Sequence, residues 1–214
     1  MNAIKVYQMT EKIKNGESGA LDALRRECLT EMATAKSKHK GSDKARAKMC
    51  EKLAGRHELP ANLRGSWITA DGRQAVCDGR FAVVWNDPLE GCAEVSESLD
   101  KIDILRYFAA ANDGEQVREK VARADVLNAC ASVMRKARAI GEKWPLVFVC
   151  GGYFDPRMVR DVVETLADSE GEPLILCRNA HKTEAGLIIR AMNGNALIMP
   201  VNVGKKMPSL VAEI

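Results

Sequence analysis

The fold of this chain is decided by residues 146–166, LVFVCGGYFDPRMVRDVVETL, and by the segments that follow them. Leu146–Cys150 is a short apolar run of the kind found in buried strands, and Gly151-Gly152 predicts a turn after it. Asp155 then offers an N-cap, and Pro156 suits the first position of a helix. The apolar residues that predict one buried face of this helix are Val159, Val162, Val163 and Leu166.

Three short segments after this helix predict strands, so the element order of the C-terminal part is β-α-β-β-β. They are bounded by residues typical of turns, such as Gly, Asn and Pro. The three predicted strands are Pro173–Cys177, Gly186–Arg190 and Ala196–Val203.

The first part of the chain can be interpreted in the same order. Ile4–Val6 is taken as a short first strand, and the apolar spacing over 21–35 predicts a helix. An additional helix, capped by Ser42 or Asp43, ends near Gly55. Three strands separated by two Asp-Gly hairpin signals come next. These strands are Ser66–Thr69, Gln74–Cys77 and Phe81–Trp85.

The middle of the chain is predicted to be helical. A first helix stops at Asn112-Asp113-Gly114, and Asp125 is expected to cap a longer helix that ends at Gly141. The expected fold class is α+β, with two β-α-β-β-β half-repeats, antiparallel sheets and inserted helices. The expected segments are a first half over 1–97 with an extra basic helix at about 36–56, a helical insertion over 98–143, a second half over 144–203 and a C-terminal tail over 204–214.

The composition is that of an ordinary globular protein, with 46% hydrophobic and 29% charged residues among 214. The seven cysteines contain no C-x-x-C pair and are odd in number, which argues against a disulfide framework and a structural zinc site. The N-terminus lacks the apolar region of a signal peptide. The apolar runs are also far shorter than the roughly 20 residues of a membrane helix. We therefore expect a cytoplasmic protein without a membrane partner.

Catalytic motifs are missing from the sequence. There is no P-loop, no G-x-S-x-G and no H-E-x-x-H, and none of the three histidines has a metal-ligand partner at helical spacing. Gly151-Gly152 lacks the further glycine and the downstream acid of a dinucleotide site. We therefore expect no catalytic residue, no cofactor and no metal. A small-molecule enzyme that depends on Asp78 or His181 is the remaining alternative.

Basic residues are concentrated before Gly55, although the net charge of the chain is only +3. Three of them, Lys44, Lys48 and Lys52, follow one another at i, i+4 spacing on one side of the predicted helix. Such a row is a candidate for contacts to DNA phosphates. A solvated helix face is the alternative interpretation. The candidate DNA-binding residues are Lys36, Lys38, Lys40, Lys44, Arg46, Lys48 and Lys52.

Several segments resemble the bacterial DNA sliding clamp, the β subunit of the replicative DNA polymerase. The helix 153–166 and the strand 196–201, ALIMPV, resemble the family's last helix and its M-P-x-R strand. Leu63–Ile68 and Cys77–Val83 resemble a strand and the D-G-H-R-type turn of the same family. The resemblance implies a clamp-like, non-catalytic protein of DNA metabolism.

The resemblance also implies a pocket for short peptides. In the family this pocket binds polymerases and repair proteins, and the corresponding residues here are Leu197, Met199, Pro200 and Val201, with Arg80 from the Asp-Gly turn. Asn202 replaces the family's arginine, and the tail is a candidate to cover the pocket. A homo-oligomer and duplex DNA are further implied partners. Two alternatives remain open, namely a strand without any ligand and an interaction module that keeps the clamp fold without encircling DNA.

Overall fold

The computed structural model describes residues 3–17, 19–21, 23–24, 28, 40–169, 171–182, 184–204 and 209–214. The helix predicted over 21–35 falls largely outside these residues, and so do Lys36 and Lys38. The helices are α1 (Ala3–Lys14), α2 (Lys40–Ala54), α3 (Ile104–Ala111), α4 (Arg123–Ile140) and α5 (Pro156–Leu166). A short 3-10 helix spans Ala61–Leu63.

Two of the local signals that predicted these helices are confirmed, namely the cap at the start of α5 and the glycine at the end of α4. The Asp155 carboxylate caps α5 by accepting a hydrogen bond from the Arg157 backbone N–H at 2.8 Å. Gly141 ends α4 in the left-handed conformation, with φ of 71°. The interpretation of Ile4–Val6 as a strand was wrong, because these residues lie inside α1. Two β-branched residues, Ile4 and Val6, are too weak a signal for a strand when no Gly or Pro interrupts the chain before Gly16.

A seven-stranded antiparallel sheet forms the centre of the molecule. The seven strands are β1 (Trp67–Ile68), β2 (Gln74–Cys77), β3 (Phe81–Trp85), β4 (Gln116–Ala122), β7 (Pro173–Asn179), β8 (Leu187–Ala191) and β9 (Gly194–Ile198). They run in the order β1-β2-β3-β9-β8-β7-β4, so the strands of the first and last parts of the chain meet where β3 pairs with β9.

Strand β4 corrects the expectation of a wholly helical middle segment. Gln116–Ala122 pairs with β7 over seven residues and forms an edge of the sheet. Helix α4 consequently begins at Arg123, and Asp125 lies in its first turn instead of capping it. The sequence QVREKVA contains good helix formers, but pairing with a neighbouring strand outweighs such a weak local preference. The division of the chain into the four predicted segments stays a prediction.

A second, three-stranded sheet contains β5 (Leu146–Val149), β6 (Gly152–Phe154) and β10 (Val211–Glu213). The predicted first strand of the C-terminal unit, β5, therefore does not join the sheet of β7 to β9. The C-terminal strand β10 runs parallel to β5, and Ile214 N–H donates to the Phe148 carbonyl at 3.1 Å. The described end of the tail thus extends this small sheet.

The two faces of the large sheet carry different helices. The indole N–H of Trp85 donates to the Thr165 carbonyl of α5 at 3.2 Å, so Trp85 points to the face that α2 and α5 cover. Successive side chains of a strand point to opposite faces. Val84 accordingly points to the other face, where it lies with Leu105 and Phe108 of α3. We call these the α2–α5 face and the α3 face.

Candidate functional site

An open, mainly apolar cavity of about 280 Å³ lies on the α3 face beside the β2–β3 turn. We call it the apolar groove. Two of its most exposed side chains are Tyr107, at 58%, and Met199, at 45%. Among the residues that the structure describes, Arg80 alone lines it with a charged side chain. The lining residues are Leu63, Cys77, Gly79, Arg80, Phe81, Ala82, Ile102, Ile104, Tyr107, Leu197 and Met199.

Pairing between β3 and β9 brings together residues that are more than 100 positions apart in the chain. Ala82 lies opposite Leu197 in the register, and the Met199 backbone N–H donates to the Arg80 carbonyl at 2.8 Å. Three of the five residues predicted for a peptide pocket, Arg80, Leu197 and Met199, therefore line one groove.

The other two predicted pocket residues lie beyond the groove. Val201 N–H donates to the Tyr153 carbonyl of β6 at 2.8 Å, which attaches the end of this segment to the small sheet. Pro200 is half-buried between Met199 and this attachment. Neither Pro200 nor Val201 is among the residues that line the cavity.

Asp78 fixes the turn that carries Arg80. Its side chain, only 1% exposed, accepts hydrogen bonds from the backbone N–H groups of Arg80 and Phe81 at 2.9 and 3.0 Å. The same carboxylate pairs with the guanidinium groups of Arg56, at 2.9 Å, and Arg80, at 3.2 Å. Hydrogen bonds to Glu58 and Asp78 raise the pKa of Arg56. The end of α2 is thereby tied to the rim of the apolar groove.

A second groove, of about 460 Å³, lies between α2 and α5. Lys44 and Lys48 are exposed on α2, whereas Lys52 pairs across the groove with Asp161 of α5 at 3.2 Å. Arg160 also pairs with Asp161, at 2.6 Å. The charged residues that line this α2–α5 groove nearly cancel, namely Lys48, Lys52, Arg56, Arg80 and Arg157 against Asp78, Asp155, Asp161 and Glu164.

Lys44, Lys48 and Lys52 form the exposed lysine row of α2, and Arg46 does not belong to it. Its guanidinium is buried, pairs with Asp43 at 3.1 Å, donates to Gln74 Oε1 at 2.8 Å and lies 4.7 Å from the ring centroid of Trp85. Burial lowers the pKa of this guanidinium. The prediction that Arg46 contacts DNA is therefore corrected, because a residue two positions from Lys44 and Lys48 lies on the opposite side of a helix.

The remaining predicted DNA contacts are only partly described. Lys40 is the first residue of α2, and Lys36 and Lys38 lie outside the described residues. Within the described part of the chain, no group of three His, Cys, Asp or Glu side chains is placed to hold a metal ion. In the same part, no helix combines the length and the apolar character that crossing a membrane requires.

Comparison with known proteins gives a likeness in structure but none in sequence. No protein-family model matches the chain, and no curated protein sequence matches it. The crystal structure of a Eubacterium rectale protein, provisionally named a DNA polymerase III beta subunit, superposes with a TM-score of 0.53 at 10% identity. The chain has a sliding-clamp-like fold. The predicted resemblance and the α+β, clamp-like fold class are thus confirmed.

The likeness to sliding clamps concerns the fold. The superposition covers 76% of this chain and 64% of the Eubacterium rectale chain, which is less than two thirds of that protein. The Helicobacter pylori beta clamp, solved with a DNA ligase peptide, matches with a TM-score of only 0.33 at 10% identity, over 61% of this chain and 41% of that one. A score of that size is too low to indicate a shared fold.

Proposed function

We propose that this chain is a non-catalytic, clamp-like accessory protein of DNA metabolism that binds a segment of a partner protein in its apolar groove. The observation that carries this proposal is the convergence of Arg80, Leu197 and Met199 on one open cavity. Polymerases and repair proteins are the proposed class of partner, because Arg80, Leu197 and Met199 stand at positions whose sequence resembles the peptide-pocket motifs of sliding clamps.

The chemistry of the groove favours a short peptide with large apolar side chains and an acidic neighbour. Its lining is apolar, and Met199 adapts readily to side chains of different shape. Arg80 has a side chain that is 62% exposed at the rim, where it can meet a carboxylate of the ligand. The groove is open, so a peptide can enter it from the surface.

Replacing Met199 by Asp tests the proposal, because a carboxylate at this position introduces a charge that apolar ligand side chains would have to desolvate. Peptides are first selected from a displayed random library on the unmodified protein, and their affinity is then measured by fluorescence anisotropy. We expect Met199→Asp to weaken binding at least about tenfold, which corresponds to about 1.4 kcal/mol.

Met192→Asp is the matched control for this measurement. Met192 is 77% exposed in the turn between β8 and β9, at the opposite end of β9 from Met199. The control should bind the selected peptides as the unmodified protein does. If both variants weaken peptide binding equally, or if neither weakens it, the peptides bind elsewhere.

The proposal includes duplex DNA as a second partner, bound through the exposed lysine row of α2. Phosphate contacts of this kind lose affinity as salt rises, in proportion to the number of phosphates that are neutralised. Lys44→Glu combined with Lys48→Glu should abolish binding of a duplex at low salt, measured by anisotropy. DNA affinity that is independent of salt, or unchanged in the double variant, would remove this part of the proposal.

An interaction module that has kept the clamp fold without encircling DNA is the second candidate function. The ion pairs of Asp161 with Lys52 and Arg160 favour it, since they neutralise bases on the α2–α5 face. Peptide binding at Met199 without any duplex binding at low salt would select this candidate. Peptide and salt-dependent DNA binding together would select the first.

A further inference from the structure

A second cavity on the α3 face, of about 320 Å³, lies on the other side of α3 from the apolar groove. We call it the Arg190 pocket. Val84, Leu105, Phe108 and Ile188 give it an apolar floor and wall, while two guanidinium groups and two amides supply its polar side. No acidic side chain is among the described residues that line it, in contrast to the α2–α5 groove with its four carboxylates. Its polar residues are Arg73, Asn112, Arg190 and Asn195.

The sheet places the polar residues of this pocket in a row. Arg190 of β8 lies opposite Asn195 of β9, and Asn195 lies opposite Val84 of β3. Directly paired residues of neighbouring strands point to the same face. The Arg190 and Asn195 side chains are therefore held side by side on rigid strands under α3.

Arg190 presents a guanidinium that is oriented but not neutralised. Its Nη2 donates to the Asn112 Oδ1 at 2.6 Å, and this bond fixes the plane of the group. Among the described residues, no carboxylate pairs with Arg190. In the same part of the chain, no residue forms a hydrogen bond with the side-chain amide of Asn195. The other edge of the guanidinium and the Asn195 amide thus remain available to a ligand.

Arg73 stands at the far side of the pocket in a fixed position. Its Nε donates to the Asp71 carboxylate at 2.8 Å, and its Nη2 lies 2.6 Å from the same carboxylate oxygen in an ion pair. Asp71 compensates most of its charge, so Arg73 contributes hydrogen-bond donors more than net charge. Arg190 consequently supplies the positive charge of the pocket.

We propose that the Arg190 pocket binds a small organic anion, with its phosphate or carboxylate group on Arg190 and its apolar body against Phe108 and Leu105. Planar guanidinium groups pair with both kinds of anion through two parallel hydrogen bonds. A volume of about 320 Å³ lies within the range of small-ligand sites. This site is separate from the apolar groove, and its ligand is independent of the proposed partner peptide.

A purely structural role for Arg190 makes a different prediction. In that role the residue only fastens the end of α3 to the sheet through Asn112, where a cation also complements the helix dipole. In that case Arg190→Gln would lower the unfolding temperature, and no anion would raise the unfolding temperature of the unmodified protein. Ligand binding by the folded protein therefore distinguishes the two roles.

Isothermal titration calorimetry on the full chain at low ionic strength tests the proposal, with adenosine 5′-monophosphate, succinate and inorganic phosphate as probes. We expect at least one organic anion to bind more tightly than inorganic phosphate, because only the organic anions carry a body for the apolar floor. Comparison of the first two probes distinguishes a phosphate from a carboxylate ligand. Arg190→Gln should weaken binding about tenfold or more.

Two further variants keep the test decisive. Asn195→Leu leaves the Arg190–Asn112 bond in place, and we expect it to weaken binding as well. Arg157→Gln removes an exposed arginine from α5 on the opposite face of the sheet and should leave affinity unchanged. The proposal is overturned if no probe binds at about 10 mM, far above the dissociation constant of a millimolar site. It is also overturned if folded Arg190→Gln and Asn195→Leu proteins bind like the unmodified chain.

Discussion

Arg46 shows how the position of one residue on a helix decides its role. It stands in a basic segment, yet its guanidinium lies in the core between Asp43, Gln74 and the Trp85 ring. Lys44 and Lys48, two positions away on either side, are exposed. Charge counted along the sequence therefore overstates the basic surface of α2, because a core arginine contributes to folding and cannot reach a phosphate.

Arg46→Ala should lower the free energy of unfolding by about 3–5 kcal/mol, because it removes a buried ion pair with Asp43 and the hydrogen bonds to Gln74 and to the Asp87 carbonyl. Lys48→Ala, on the exposed side of the same helix, is the matched control and should change it by less than about 0.5 kcal/mol. Urea unfolding followed by circular dichroism measures both. Similar small changes in the two variants would mean that Arg46 is not buried as the structure has it.

At the scale of elements, the sequence predicts what is encoded by local chemistry. The N-cap of α5, the left-handed Gly141 after α4 and the hairpin of β2 and β3 all follow from residues within one turn of the feature. Strand β4 was missed because its pairing partner, β7, lies about 55 residues further along the chain and leaves no trace in the sequence of β4 itself.

The residues that line the apolar groove were also predictable only in part. Arg80, Leu197 and Met199 were expected from their resemblance to clamp motifs, and β3–β9 pairing places them around one groove. Tyr107 and Leu63 were not expected there, because their contribution depends on where α3 and the 3-10 helix dock. The apolar spacing of α3 predicts a buried side but not the sheet face against which it packs.

At the scale of the whole molecule, the large sheet separates two surfaces of different chemistry. The α2–α5 face carries a groove in which acids and bases nearly balance. The α3 face carries the apolar groove and the Arg190 pocket on either side of one short helix. Binding of a partner peptide is therefore expected on the α3 face, although Arg80 and Phe81 at the β2–β3 turn border both grooves.

Methyl NMR of the nine methionines locates a bound peptide most directly. A selected peptide is added to protein that carries labelled methionine methyl groups, and each resonance is assigned by substitution. We predict that the Met199 resonance shifts on binding, while those of Met192 in the distant turn and of Met49 and Met158 in the α2–α5 groove stay in place. A shift of Met49 and Met158 with Met199 unchanged would contradict the assignment of partner binding to the apolar groove.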